Sequence, residues 1–179
     1  MNAVAEASLS ADTPPIALKL GEFAEGFSLA SVPAEAVDYA KLCIADCIGI
    51  GFASHGYDFA ARSLAAVSGL AGSGDYPVVG TAQSLPPRDA ALLNGLLMHG
   101  LDFDDTHSGA VIHCSTSAVP LMLAEATRRR ASGARALAAY LLAIETDARI
   151  GAPARGMLQK IGFHPTGLVG IFGCTVAAA

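Results

Sequence analysis

The chain has 179 residues, of which 53% are hydrophobic and 15% are charged, and its mean hydropathy is +0.47. A chain of this length and composition can bury a core without disulfides or a structural metal, which excludes the disordered and the small disulfide-rich classes. The net charge is −5, and the dense basic run at residues 128–130 is predicted to end a helix, where cations stabilise the helix dipole. No nucleic acid is therefore expected as a partner.

Cysteine spacing, the N-terminus and the apolar stretches all favour a cytoplasmic protein. No CxxC pair or zinc-like spacing occurs among the four cysteines, which predicts free, buried thiols. Residues 1–12 contain no basic region and no apolar stretch, so no signal peptide is predicted. The longest apolar stretches, residues 42–54 and 167–179, are shorter than the roughly 20 residues that a bilayer requires. No membrane partner is expected. The cysteines are Cys43, Cys47, Cys114 and Cys174.

Apolar residues at three- and four-residue spacing predict helices along the whole chain after a mobile N-terminus at residues 1–14. Residues 76–80 are the one strand-like stretch, and a single short strand cannot form a sheet. The predicted fold class is all-α, with at least six helices in one domain over residues 15–179 and no sheet of three or more strands. The predicted helices cover residues 15–27, 33–56, 58–70, 84–100, 117–130, 134–150 and 166–179.

The last predicted helix, residues 166–179, carries no stop signal. The domain is therefore expected to be truncated at its C-terminus, and an apolar patch is expected to be exposed along this helix.

The polar exception to this apolar chain is the segment 99–115, which contains three carboxylates and three imidazoles. A solvated, Asp-rich loop that caps helices would account for any one of these aspartates. The spacing of three residues between His99, Asp102 and Asp105 would place them on one face if the helix continued. The whole cluster is better explained as a functional site.

Two kinds of chemistry fit this cluster. Histidine and aspartate are metal ligands, but the segment contains no HExxH or EF-hand pattern, so no metal ligand is predicted. The alternative is general acid–base catalysis by histidines that carboxylates hold in position.

His113 and His164 each come just before a predicted helix start. The free N–H groups and the positive dipole end at such a start favour a bound carboxylate or a developing enolate. A single histidine in this position is more often a cap or a satisfied core residue than a catalytic one. Two histidines in the same context, beside the aspartates, favour a site for an anionic substrate.

Four further motifs stand out along the chain. They are LCIADCIG at 42–49, DAALLNG at 89–95, HGLDFDDTH at 99–107 and GFHPTG at 162–167. These motifs resemble those of the MmgE/PrpD family, which includes 2-methylcitrate dehydratases, cis-aconitate decarboxylases and iminodisuccinate epimerases. They occur in the family's order across residues 33–179.

The resemblance implies part of a large all-helical domain, followed in the family by a smaller α+β domain and a lysine-bearing motif that lines the active site. It implies that His113, His164 and Asp102 are catalytic and that Thr106 binds substrate. The segment between Thr106 and His113 varies in length in the family. The resemblance further implies no metal or organic cofactor, a di- or tricarboxylate substrate, and a homodimer in the full-length form.

The implied reaction is dehydration like that of 2-methylcitrate dehydratase, in which two imidazoles supply the base and the acid. Decarboxylation and epimerisation are alternatives within the family. Arg155 and Lys160 are the candidate cations near these motifs, so the chain alone is expected to be weak or inactive. An alternative of another class is a non-catalytic helical remnant or assembly module.

Overall fold

The computed structural model describes residues 14–179, in which eight α-helices form most of the regular structure. A two-stranded antiparallel ribbon pairs β1 (Tyr76–Pro77) with β2 (Ser84–Leu85), and no larger sheet occurs in this part of the chain. The predicted all-α class is confirmed. The predicted mobile N-terminus, apart from Pro14, lies outside the described residues. The helices are α1 (Ile16–Gly26), α2 (Ala34–Ala53), α3 (Asp58–Leu70), α4 (Pro87–His99), α5 (Ser115–Arg129), α6 (Gly133–Gly151), α7 (Met157–Lys160) and α8 (Pro165–Ala178).

Two predicted helix starts are wrong. Ser84 was expected to begin α4, but it lies in β2, and α4 begins only at Pro87. The reason is that Leu85 and Pro86 both precede a proline, which disfavours the helical conformation. Ser117 was expected to cap α5, but it lies inside the first turn of α5 and its hydroxyl donates to the carbonyl of Cys114.

The core extends beneath the polar segment. Tyr140 of α6 is fully buried, and its hydroxyl lies 2.6 Å from the hydroxyl of Ser115 at the start of α5. A separate apolar cluster joins Ala110, Ile112 and Cys114 to Val169 of α8. This cluster fixes the segment that leads into α5 against the first turns of α8.

All four cysteines are free thiols, as predicted, but only two of them are buried. Cys47 and Cys114 lie in the core, where burial raises the pKa of their thiols. Cys43 and Cys174 are half-buried. None of the helices within residues 14–179 combines the length and the apolar character that crossing a membrane requires.

Helices α6 and α8 approach each other closely at Gly173. The backbone N–H of Gly173 donates to Oδ1 of the buried Asp147 at 2.8 Å. The other face of α8 exposes Leu168, Ile171 and Phe172, which agrees with the expected apolar patch. The contact with α6 orients α8 and therefore the residues at its N-terminus.

Asp147 is expected to make stability depend on pH. Its Oδ2 has no hydrogen-bond partner among residues 14–179. Burial raises the pKa of this carboxyl from 3.8 to about 6, and the Gly173 N–H partly opposes the rise. Because the native state then binds the proton more tightly, the stabilisation from protonation is complete below about pH 4. It is lost as pH rises through about 6, at a cost of about 3 kcal/mol.

The measurement is urea unfolding of the unmodified chain and of Asp147→Asn at about pH 4.5 and about pH 7.5. The variant lacks the titrating group, so its free energy of unfolding should exceed that of the unmodified chain by more at the higher pH. If the two proteins differ in free energy of unfolding by the same amount at both pH values, the raised pKa of Asp147 would be contradicted.

Candidate active site

The polar segment leaves the helix at its first residues. Helix α4 ends at His99, and Asp102 adopts a left-handed conformation with φ of 57° while its N–H donates to the carbonyl of His99. Aspartate tolerates this conformation because its short polar side chain can bond locally. The helix does not continue past His99, so the condition for placing His99, Asp102 and Asp105 on one helical face is not met.

A short reversal at residues 107–112 then brings the chain back toward α4. The N–H of His107 donates to the carbonyl of Ile112 at 2.8 Å, and the ring of His107 accepts from the N–H of Ala110. Val111, a β-branched residue, is held at φ of 57°, a conformation that costs energy for such a side chain. His107 therefore shapes the loop, and His113 emerges next to the end of α4.

Three imidazoles meet at this point. The ring centres of His99 and His113 are 4.9 Å apart, and those of His99 and His164 are 5.4 Å apart. The rings of His113 and His164 are nearly parallel, with centres 6.5 Å apart. The structure thus brings together the two histidines that the sequence singled out and adds His99.

Carboxylates lie on two sides of His113. The side chain of Asp104 is fully buried, accepts from Nδ1 of His99 at 3.1 Å and lies 3.4 Å from Nδ1 of His113. Asp102, which is 78% exposed, places Oδ1 3.4 Å from Nε2 of His113. Nδ1 of His113 also faces the carbonyl of Asp104 at 3.2 Å. Both ring nitrogens of His113 therefore face oxygen acceptors, a geometry suited to the imidazolium form.

Two threonines flank His113. Oγ1 of Thr106 lies 3.5 Å from Nδ1 of His113, so the predicted substrate-binding residue does lie beside a predicted catalytic one. The backbone N–H of His113 donates to Oγ1 of the buried Thr166 at 3.0 Å. Thr166 follows His164 in the first turn of α8, so this bond fixes the start of α8 against His113.

Asp105 caps a helix, which is the structural role considered above for any one of the aspartates. Its Oδ1 accepts from the N–H of Ser115, the first residue of α5, at 3.1 Å. Sequence reasoning included Asp104 and His99 in the cluster but did not choose them as site residues. The available sequence signal was that His99 and Asp104 are five residues apart on either side of a helix end. That spacing indicates a contact only when the reversal of the chain at Asp102 is known.

The electrostatics of the site depend on the histidines. Among the described residues, histidines alone lie within ion-pair distance of the carboxylates of Asp102 and Asp104. Arg155 and Lys160 form no ion pair with them. His164 is the N-cap of α8, with Pro165 as its first residue, so the unpaired N–H groups of this first turn add positive potential.

A cleft of about 760 Å³ opens beside Thr106. Its walls come mainly from α2, α6 and the segment 27–33 that precedes α2, and they are mostly apolar, with Asp105, Thr106 and His107 at the polar segment. The three clustered imidazoles do not line it. Thr106 therefore lies between the cleft and the imidazole cluster.

Comparison with known proteins agrees with the motifs. Residues 18–179 match the MmgE/PrpD N-terminal domain. The cis-aconitate decarboxylase-like protein oryM of Aspergillus oryzae is 28% identical over 156 residues, which cover 83% of this chain and 32% of that protein. Human cis-aconitate decarboxylase is 38% identical over 102 residues, or 53% of this chain and 21% of the human protein.

The mouse cis-aconitate decarboxylase is 31% identical over 147 residues, which cover 78% of this chain and 30% of the mouse protein. The chain thus spans about a third of the length of the curated relatives it matches. The match to the family's N-terminal domain extends over most of the chain, including all the residues of the imidazole cluster. The chain therefore belongs to the MmgE/PrpD family.

Proposed function

We propose that this chain forms one wall of the active site of a lyase that acts next to a carboxylate of a di- or tricarboxylic acid. The observation that carries the proposal is the meeting of His99, His113 and His164 at one surface, with Asp102 and Asp104 beside His113. Imidazoles held by carboxylates are suited to moving protons near neutral pH.

The hydrogen-bond geometry of His113 supports a role as the acid. Its two nitrogens face oxygen acceptors, so a ring that carries a proton on each nitrogen can donate a hydrogen bond from both. The ring of His164 forms no hydrogen bond with the rest of the described chain and the residue is exposed, so this ring is free to accept a proton from a substrate. Thr106, beside His113, would donate a hydrogen bond to a substrate carboxylate.

For decarboxylation, the bond between one carboxylate carbon and its neighbour breaks and carbon dioxide leaves. The electron pair of that bond stays on the substrate as an enolate-like anion, delocalised toward a remaining carboxylate. The imidazolium of His113 then gives its proton to carbon and becomes neutral. The positive end of α8 stabilises the anion while it exists.

The same residues would serve dehydration. His164 would take the proton next to a carboxylate, and His113 would give its proton to the departing hydroxyl, which leaves as water. Epimerisation would need proton removal and return on opposite faces of one carbon. Because the relatives are named cis-aconitate decarboxylases, decarboxylation is now favoured over the dehydration that the motifs first suggested.

The chain alone offers few positive charges for binding the substrate. A tricarboxylate needs fixed cations, whereas Asp102 and Asp104 add negative charge and have only histidines opposite them. We therefore assign the missing cations to the part of the relatives that this chain does not span. We also propose that the full-length form is a homodimer. The chain alone should bind substrate weakly and turn it over slowly or not at all.

The first test measures binding of cis-aconitate to the 179-residue chain. Binding is monitored through the histidine resonances in NMR spectra. Resonances of His113 and His164 should shift, while those of His55, which bonds the carbonyl of Val79 and is not in the imidazole cluster, should not. Acetate at the same concentration is the matched control for a single carboxylate.

Equal shifts with acetate and cis-aconitate up to ~10 mM would contradict a tricarboxylate site. Equal shifts combined with a defined dimer in sedimentation would favour the assembly module, whose contact surface the exposed apolar residues of α8 would supply.

A further inference from the structure

We propose that His99, Asp102, Asp104 and His113 also form a binding site for a divalent transition-metal ion such as Zn²⁺. One ligand atom from each of the four residues can be chosen so that all four lie within 4.8 Å of one another. Two imidazole nitrogens and two carboxylate oxygens are a ligand set that zinc accepts. The proposal concerns binding and does not depend on the reaction proposed above.

The distances between these atoms are close to those of a metal site. Zinc bonds of about 2.0–2.1 Å in a tetrahedron separate neighbouring ligand atoms by roughly 3.4 Å. The distance from His99 Nδ1 to Asp104 Oδ1 is 3.1 Å, and that from His113 Nδ1 to the same oxygen is 3.4 Å. Asp102 Oδ1 lies 3.4 Å from the other ring nitrogen of His113, Nε2, so it has to move to join an ion held by Nδ1. The widest separation has to close by about 1.4 Å.

The residue that can make this adjustment is Asp102. Its side chain is 78% exposed, whereas that of Asp104 is fully buried and fixed by His99. An ion would therefore enter from the solvent side, meet the preformed His99, Asp104 and His113, and be closed in by rotation of the Asp102 carboxylate. His113 can offer either ring nitrogen, because each faces one of the carboxylates.

Charge balance favours a cation here. Two carboxylates, one of them buried, have no lysine or arginine within ion-pair distance among the described residues. A buried carboxylate is costly unless a positive charge is near it. Without a metal ion, protons on the imidazoles can supply that positive charge. With a metal ion bound, the ion displaces those protons and supplies the charge itself. On the proposed function, metal binding would therefore exclude proton transfer by His113.

The test uses the 179-residue chain without substrate. Titration with Zn²⁺ in a calorimeter should give one ion per chain with a Kd of about 10 μM or tighter, weaker than preformed structural zinc sites because Asp102 must move. Bound Co²⁺ should show the strong visible absorption of four-coordinate cobalt. His99→Ala and Asp102→Asn should each weaken binding at least 10-fold.

His55→Ala is the control for loss of a histidine outside the site, and His164→Ala is the control for a neighbouring imidazole that is not in the ligand set. Both should change the Kd less than about 3-fold. Asp104→Asn is a weaker test because this buried residue also supports folding, so the exposed Asp102 carries the conclusion. A Kd weaker than about 10 μM, or equal losses in the control and ligand variants, would overturn the proposal.

Discussion

Gly173→Ala is expected to destabilise the chain by about 3 kcal/mol or more. A Cβ at this position would lie 2.3 Å from the carbonyl oxygen of Ala143 and 2.6 Å from Cγ and Oδ1 of Asp147. The first of these atoms belongs to the backbone of α6, so the clash cannot be relieved by rotation of a side chain. Helix α8 must move away, which also lengthens the bond from the Gly173 N–H to Asp147.

Two other glycines of α8 provide matched controls for this prediction. A Cβ at Gly167 would meet nothing within 4 Å, so Gly167→Ala should stabilise the helix by about 0.5–1 kcal/mol. A Cβ at Gly170 would meet the Ser117 hydroxyl at 2.7 Å, and a rotation of that side chain relieves part of the clash. From most to least stable, the expected order of the variants is Gly167→Ala, Gly170→Ala and Gly173→Ala.

Urea unfolding monitored by circular dichroism measures all three variants. Similar midpoints for Gly167→Ala and Gly173→Ala would mean that α6 and α8 are not in close contact. Hydrogen exchange adds a local readout, because amides of α8 should lose protection in Gly173→Ala while those of α3, which packs mainly on α4, keep theirs.

Local sequence signals were sufficient for most of the helices, although not for α7 or for the starts of α4 and α5, and they singled out two of the clustered histidines. Apolar spacing identified α2 and α6 to within a few residues, and His164–Pro165 marked the start of α8 because proline suits the first helical position. His113 was found in the same way, from the helix start that follows it. These signals depend on residues that are neighbours along the chain.

The remaining part of the site depends on contacts that no local pattern encodes. The pairing of His99 with Asp104 requires the left-handed turn at Asp102, and aspartate adopts that conformation in only some of its contexts. The bond between His113 and Thr166 joins residues 53 positions apart. The division of roles between Asp104, buried between imidazoles, and its neighbour Asp105, which caps α5, likewise follows from the tertiary packing.

Catalytic rate and stability should separate in the histidine variants. Because the chain spans about a third of its relatives, turnover is measured in a chimera in which it replaces the matched region of the Aspergillus oryzae protein. His113→Ala should lower kcat about 10²–10⁴-fold because His113 gives the proton in either reaction, and His164→Ala should do so if the reaction removes a substrate proton. Each should cost only about 1 kcal/mol of stability, because the 17%-exposed ring of His113 loses modest hydrogen bonds and His164 is exposed.

Two further variants make this comparison decisive. Asp102→Asn keeps the size of the side chain but removes the charge 3.4 Å from His113, and should lower kcat roughly 10- to 100-fold with little change in stability. His55→Ala removes a histidine that bonds the carbonyl of Val79, and should lower stability while leaving kcat within about twofold. Unchanged kcat in His113→Ala and His164→Ala, together with a large loss of melting temperature, would mean that the imidazole cluster is structural. In that case the proton-transfer roles would be withdrawn, although the family membership, which depends on the match over residues 18–179, would remain.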